Sequence, residues 1–262
     1  ELGDAIQSFW YTRIDFGEQP SDFEILPDGF AEIVFTFGSI CSAFYNGSLQ
    51  PLPSPFLMRL LNQPVVLHAQ GSVEVIGIKC FPWAVFDLLG LPSNQEGVRL
   101  HEHPLARLQA PLGECIKAGK IADALAQVKQ YFSGLRLQLA GSSMLYKAGV
   151  AMRKANGTMP VSQVAAAAHA TVRTLERNFK QAAGHTVKDV SGLIRFEKVR
   201  NRLLLYPDTG LAGLAQELGY TDQAHLSREF KRYSGTTPAA FARKARKGQQ
   251  VVSNDFVAFV QD

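Results

Sequence analysis

One short phrase occurs twice in this chain. Leu175–Lys180 reads LERNFK, and Leu226–Lys231 reads LSREFK, 51 positions later. The tails match too, QAAGHT after the first and RYSGTT after the second, so Gly184 answers to Gly235 and Thr186 to Thr237. Upstream, Ala165 answers to Ala215. A repeat of this kind demands two copies of one local unit. Each copy has a small helix carrying a buried alanine, a tight turn, and a second helix beginning near the phrase, which is a helix-turn-helix.

The polarity of the second helix is the informative part. Leu175 and Phe179 lie four apart and share a face, as do Leu226 and Phe230, so these pairs anchor each helix to its own core. The opposite face shows Arg173, Glu176, Arg177 and Lys180 in the first copy. In the second it shows Gln223, His225, Ser227, Arg228, Lys231 and Arg232. Such side chains pair with base edges and phosphates in a major groove. A merely solvated face accounts for one copy as well as DNA does, but poorly for two copies in a basic segment. Between them, a helix over 188–206 would span roughly 28 Å at ~1.5 Å per residue. Neighbouring major-groove entries on one face of DNA are ~34 Å apart, so both copies reach one duplex if the DNA bends or the helix tilts.

Charge divides the chain in the same place. Residues 1–140 carry 9 Lys and Arg against 14 Asp and Glu; residues 141–262 carry 18 against 9. The basic part suits a polyanion. No apolar run is long enough for a transmembrane helix. The start, ELGDAIQSFWYTRIDF, lacks the basic lead and apolar block of a secretory signal, which predicts a cytoplasmic protein without a membrane partner. Cys41, Cys80 and Cys115 are far apart and odd in number, which fits incidental thiols rather than a disulfide framework or zinc site.

Local patterning gives an α+β fold. The runs FEIL, AEIVFTFG, ICSAFY, VVLHA and VEVIGIKCF predict short strands. NGSLQPLPSPFLMRLLNQP, with its prolines, predicts a loop. From about Pro82 the texture turns helical, through WAVFDLLG, PLARLQAPLGECIKAG and IADALAQVKQYFSGLRLQLA. SSMLYKAGVAMRKANG with an Asn-Gly stop, VSQVAAAAH, VRTLERNFKQAAG with Thr171 as N-cap and ending at Gly184, the long linking helix, LAGLAQELG, TDQAHLSREFKRYSG and PAAFARKARK follow. The expected domains are a strand-rich unit with trailing helices over 1–140, an all-α unit over 141–247, and an apolar tail over 248–262.

The stretch of about 141–247 resembles the DNA-binding domain of the AraC/XylS family of bacterial transcriptional regulators. The likeness is carried by TLERNFKQAAGHT, RFEKVRNRLLL and LAGLAQELGYTDQAHLSREFKRYSGTTPAAF. Gly219-Tyr220, Asp222-Gln223, Phe230 and Gly235-x-x-Pro238 are its most specific residues. In the first copy His169 stands where glycine is common, which predicts a less regular turn, and Val187 replaces a common proline. By this resemblance Arg173, Glu176, Arg177, Gln223, His225, Ser227 and Arg228 fall at base-contacting positions. LPDGFAEIVFTFG, VEVIGIKCFPWAVFDLLGLP and VAFVQD resemble, more loosely, the cupin-like sensor domain of one branch of the family. That implies a small-molecule effector, a homodimer, or both, and RNA polymerase as partner for an activator.

No cofactor is expected and no catalytic motif is present. The alternative is a cupin-like metalloenzyme fused to a DNA-binding module, resting on His101-Glu102-His103. Pro104 follows at once, and no later glutamate or glycine stands at the spacing such sites use, so a loop before a helix is the expected role. A third idea, a DNA-repair methyl acceptor, would use one of the cysteines. Phe9, Trp10, Phe35, Phe37, Phe81, Trp83 and Phe86 are expected in core rather than around a pocket.

Overall fold

A computed structural model describes residues 2–45, 48–91, 100–135, 142–246 and 258–259. The first part is built on strands β1 (Ile6–Asp15), β2 (Ser21–Ile25), β3 (Ala31–Gly38), β4 (Ser42–Tyr45), β5 (Ser48–Pro51), β6 (Phe56–Met58), β7 (Val65–Ala69) and β8 (Ser72–Cys80). They pair antiparallel into two sheets. One has the order β6-β3-β8-β1, extended at its β1 edge by the short β9 (Ala258–Phe259); the other is β2-β7-β4-β5.

Alternation assigns the faces. Trp10, Thr12 and Ile14 of β1, with Glu32, Val34 and Thr36 of β3, line a cavity shared with Phe23, Ile25 and Leu67 of the second sheet. The intervening Phe9, Ile33 and Phe35 are buried with the helices α1 (Val85–Leu89), α2 (Gln109–Lys117) and α3 (Ile121–Gly134). There Phe9 meets Phe132 of α3 with ring centroids 6.2 Å apart. Each such ring or branched chain removed from water contributes about 1.5–3 kcal/mol. Gly77 is required opposite Trp10, because a Cβ there would lie 2.1 Å from the indole, which rests across β8.

Two expectations change here. The proline-bearing stretch before Pro64 is not all loop. It supplies β5, an exposed edge strand on which proline is tolerated, and the three-residue β6. The N-terminal stretch is the longest strand, β1, although its alternation is blurred because both of its faces are partly covered. His101–His103 lies ahead of a helix as expected. Leu100–Glu102 is a 3-10 turn, and His103 caps the next one, its Nδ1 accepting from the Leu105 N–H at 3.1 Å. Its Nε2 donates to the Leu89 carbonyl at 2.8 Å, so both ring nitrogens are occupied within the fold.

The second part is all helix: α4 (Ser142–Lys154), α5 (Val161–Ala167), α6 (Val172–Ala183), α7 (Val187–Leu205), α8 (Leu211–Glu217), α9 (Gln223–Ser234) and α10 (Pro238–Arg246). Its core is continuous with that of the first part. Trp83 stacks on Phe81 at 5.1 Å and reaches Phe179 of α6 at 5.7 Å. It also passes so close to α4 that a Cβ on Gly149 would lie 2.1 Å from the indole.

Candidate nucleic-acid interface

The two repeats fold alike. In the first, α5 and α6 enclose a turn at His169; in the second, α8 and α9 enclose a turn at Gly219. Ala165 and Ala215 are buried where the paired helices meet, and Leu175, Phe179, Leu226 and Phe230 are buried on the inner faces. Thr171 caps α6, its Oγ1 accepting from the Thr174 N–H at 3.2 Å. Asp222 caps α9, accepting from the His225 N–H at 2.6 Å. Both helices end on a left-handed glycine, Gly184 at φ 74° and Gly235 at φ 70°. The expected irregularity at His169 is absent. It adopts φ 53°, the same left-handed region as Gly219 at φ 71°, so the turn is kept and the histidine carries the backbone strain.

The linking helix α7 has 19 residues and is fixed at both ends. Thr186 and Asp189 form a capping box at its start. Further along, Arg195 grips Glu229 of α9 through two hydrogen bonds, Nε to Oε1 at 3.1 Å and Nη2 to Oε2 at 2.7 Å. Arg202 does the same to Glu217 of α8. Phe196 packs on Phe230 and Tyr233 at 5.0 and 5.4 Å. Paired forks of this kind fix angle as well as distance, so the second unit is held on α7, while Arg195 also donates to the Gly157 carbonyl ahead of α5 and Glu176 of α6 accepts from the Val187 N–H.

The ten candidate residues divide. Arg173, Arg177 and Lys180 on α6, and Gln223, Arg228 and Lys231 on α9, are exposed. Ser227 and His225 are half-buried, and His225 Nδ1 lies 3.1 Å from Thr221 Oγ1 with its ring edge-on to Tyr220. Glu176 is half-buried and Arg232 is exposed, and each also bonds within the fold. Glu176 Oε2 accepts from the Val187 N–H at 3.2 Å, and Arg232 pairs with Asp189 at 3.1 Å.

Residues 164–244 match the family model described as a helix-turn-helix domain. The chain is a DNA-binding transcription regulator that carries a helix-turn-helix domain. Residues 1–96 of the regulator match a domain of unknown function, DUF6597. No curated protein matches it. Among solved structures it is similar to ToxT from Vibrio cholerae bound to (E)-4-(8-methylnaphthalen-1-yl)but-3-enoic acid, with 10% identity, TM-score 0.49, and coverage of 91% of this chain and 100% of the other. It is also similar to the C-terminal domain of AraT, a response regulator from Geobacillus stearothermophilus, with 24% identity, TM-score 0.36, and coverage of 38% and 84%. An AraC-type DNA-binding protein from Chromobacterium violaceum gives 21% identity, TM-score 0.37, and coverage of 40% and 96%. Among the described residues no helix is long and apolar enough to cross a membrane.

What the sequence did not disclose is how the regulator's two parts grip each other. The β2–β3 loop, Pro27–Phe30, is held from the helical side. Arg200 of α7 donates to the Pro27 carbonyl at 3.1 Å, and Arg153 of α4 to the Gly29 carbonyl at 3.2 Å while lying 4.0 Å over the Phe30 ring. Beneath them Lys79 pairs with Asp28 at 2.7 Å and lies 3.6 Å from Glu32; Arg153 lies 3.7 Å from Glu197. Burial works against the Asp28 carboxylate, but the charges of Lys79 and Arg200 and the bonds from Lys79 and the Phe30 N–H bring it below its ordinary range. Glu32 goes the other way. Burial and then the Asp28 charge push it up to about 7 against the pull of Lys79 and Trp10. The LPDGF run is this docking pad; in sequence its Asp-Gly pair looks the same as that of a plain turn. Of the aromatics assigned to core, Trp10 lines the cavity instead.

Proposed function

We propose that the regulator reads two adjacent major-groove segments, α6 in one and α9 in the next. Arg173, Arg177, Gln223, His225, Ser227 and Arg228 are the base readers in this reading, and Lys180 and Lys231 neutralise phosphates. Glu176 and Arg232 act differently from the other eight, because each already holds α7 in place. The observation that carries this reading is the duplication itself: two exposed cationic helix faces on units pinned to one linking helix. The division falls at about residue 140, with the DNA-binding unit over 141–247 and a tail over 248–262. The strand-rich unit serves as effector domain, with the cavity between its sheets as the receptor site, and as the surface for any dimer. The protein works in the cytoplasm on DNA and not as an enzyme.

Selection of bound DNA from a random pool tests the reading. A bipartite site with two conserved blocks about one helical turn apart is expected, with affinity falling steeply as salt rises. Recovery of a single short block, or of unselected sequence with the same affinity, overturns two-headed reading.

A further inference from the structure

This inference rests on the effector reading of the cavity and names the chemistry of its occupant. The cavity between the sheets has a volume of about 50 Å³, room for roughly four water-sized groups. Its wall holds three aromatic rings, Trp10, Phe23 and Phe56, and a single carboxyl, Glu32. None of its described lining residues is a lysine or arginine. Glu32 is 4% exposed, and its Oε1 accepts no hydrogen bond among the described residues. Lys79, its nearest cation, is drawn closer to Asp28, at 2.7 Å against 3.6 Å. The one charged group among the described lining residues is thus a buried acid in a wall that also holds three aromatic rings, and such a lining favours a cation; ring quadrupole and carboxylate attract the same charge.

The same carboxyl belongs to the cluster that holds the helical part. Lys79 of β8 stands between Glu32 and Asp28, and the loop that carries Asp28 is gripped by Arg200 and Arg153. Glu197 of α7 completes the charges facing this cluster. Whatever takes over the pairing of Glu32 releases Lys79 to Asp28 and alters the charge that faces α7.

We propose that the cavity takes a small monocationic amine, held by the Glu32 carboxylate and the Trp10 ring, and that its arrival is passed to α7 through Lys79, Asp28 and Arg200. An anionic occupant of the same size meets the Glu32 charge instead and is excluded. The amine does not need to touch the DNA-binding helices, because the loop whose Asp28 gains Lys79 is the one that Arg200 of α7 grips.

The test uses the full chain and three probes of one size: propylamine, propanol and propionate. Saturation-transfer NMR measures binding, and fluorescence anisotropy on a selected operator measures DNA affinity. In the unaltered protein propylamine is expected to bind about ten-fold more tightly than propanol, to shift DNA affinity, and to leave propionate as a non-binder. Glu32→Gln should abolish the preference for amine over alcohol and the DNA response. Val75→Phe fills the cavity from β8, away from the charges, and should remove binding of every probe; it serves where Glu32→Gln fails to fold. Propionate binding as well as propylamine, or an amine preference that survives Glu32→Gln, overturns the proposal. Propanol binding that shifts DNA affinity equally in both proteins also overturns it while leaving the effector reading intact. If none of the probes binds and DNA affinity never responds, the effector reading falls too.

Discussion

The Glu176 carboxylate accepts a hydrogen bond from the backbone N–H of Val187, at 3.2 Å. In the second repeat the matching positions are Ser227 and Pro238. Proline has no N–H to satisfy, and there the acid is absent. The first repeat keeps a valine at the first position of α7, which leaves a donor at the helix start, and the acid one turn into α6 answers it. Glu176 is therefore a strut between the first reading helix and the linking helix.

Glu176→Ala should lower stability by about 1 kcal/mol. In a Val187→Pro background, where the donor is gone and proline suits the first helical position, the same substitution should cost nothing measurable. A double-mutant cycle in urea checks this; equal losses in both backgrounds would remove the strut from the account.

Arg177 and Arg228 occupy matching, exposed positions of the two repeats. Replacing either by alanine should relax base preference in one block of the site by ~1–3 kcal/mol and leave the other block unchanged. Competition binding with singly altered operators reads this directly. Loss that is uniform over all sequences would make them phosphate contacts.

His169→Gly should stabilise the protein by about 1 kcal/mol, since glycine takes φ 53° without the cost a side chain meets. Gly219→Ala should destabilise it. Besides its φ of 71°, an added Cβ would lie 2.7 Å from the Thr158 methyl. Thermal denaturation of the two variants should show midpoints moving in opposite directions.

Two carboxyls in the interdomain cluster give opposite pH dependences. Glu32 has a folded-state pKa raised from 4.5 to about 7, so the folded protein keeps a proton that the unfolded chain loses. Its contribution is full below pH 4.5 and is lost as pH rises towards 7. Asp28 is held below its ordinary 3.8, so its contribution is present above that value and is lost on further acidification. Glu32→Gln should flatten the fall in stability between pH 5 and 7 and leave the acid limb in place. An unchanged slope in that variant assigns the titration to another group.

Much of the helical half was legible in the sequence because its signals are local. Caps at Thr171 and Asp222, stops at Gly184 and Gly235, and the Leu–Phe spacing on each reading helix depend on neighbours within one or two turns. The strands β3, β7 and β8 were legible for the same reason, through their branched and aromatic runs. β1 and β6 were not, because a strand partly covered on both faces, or only three residues long, leaves no clean alternation.

The sequence alone determined that this chain carries two copies of a helix-turn-helix unit on a helical spacer, since a repeat with its own caps and core residues needs no distant partner to be recognised. Tertiary structure decided which of the ten polar residues are bonded to α7, as Glu176 and Arg232 are. It also decided that Glu32, Asp28 and Lys79 meet Arg153, Glu197 and Arg200 in one buried cluster. Those six are up to 172 positions apart in the chain. Only the packing of the strand-rich part on α4 and α7 brings their charges within range of one another, and Coulombic coupling depends on distance and burial, neither of which the order of residues records.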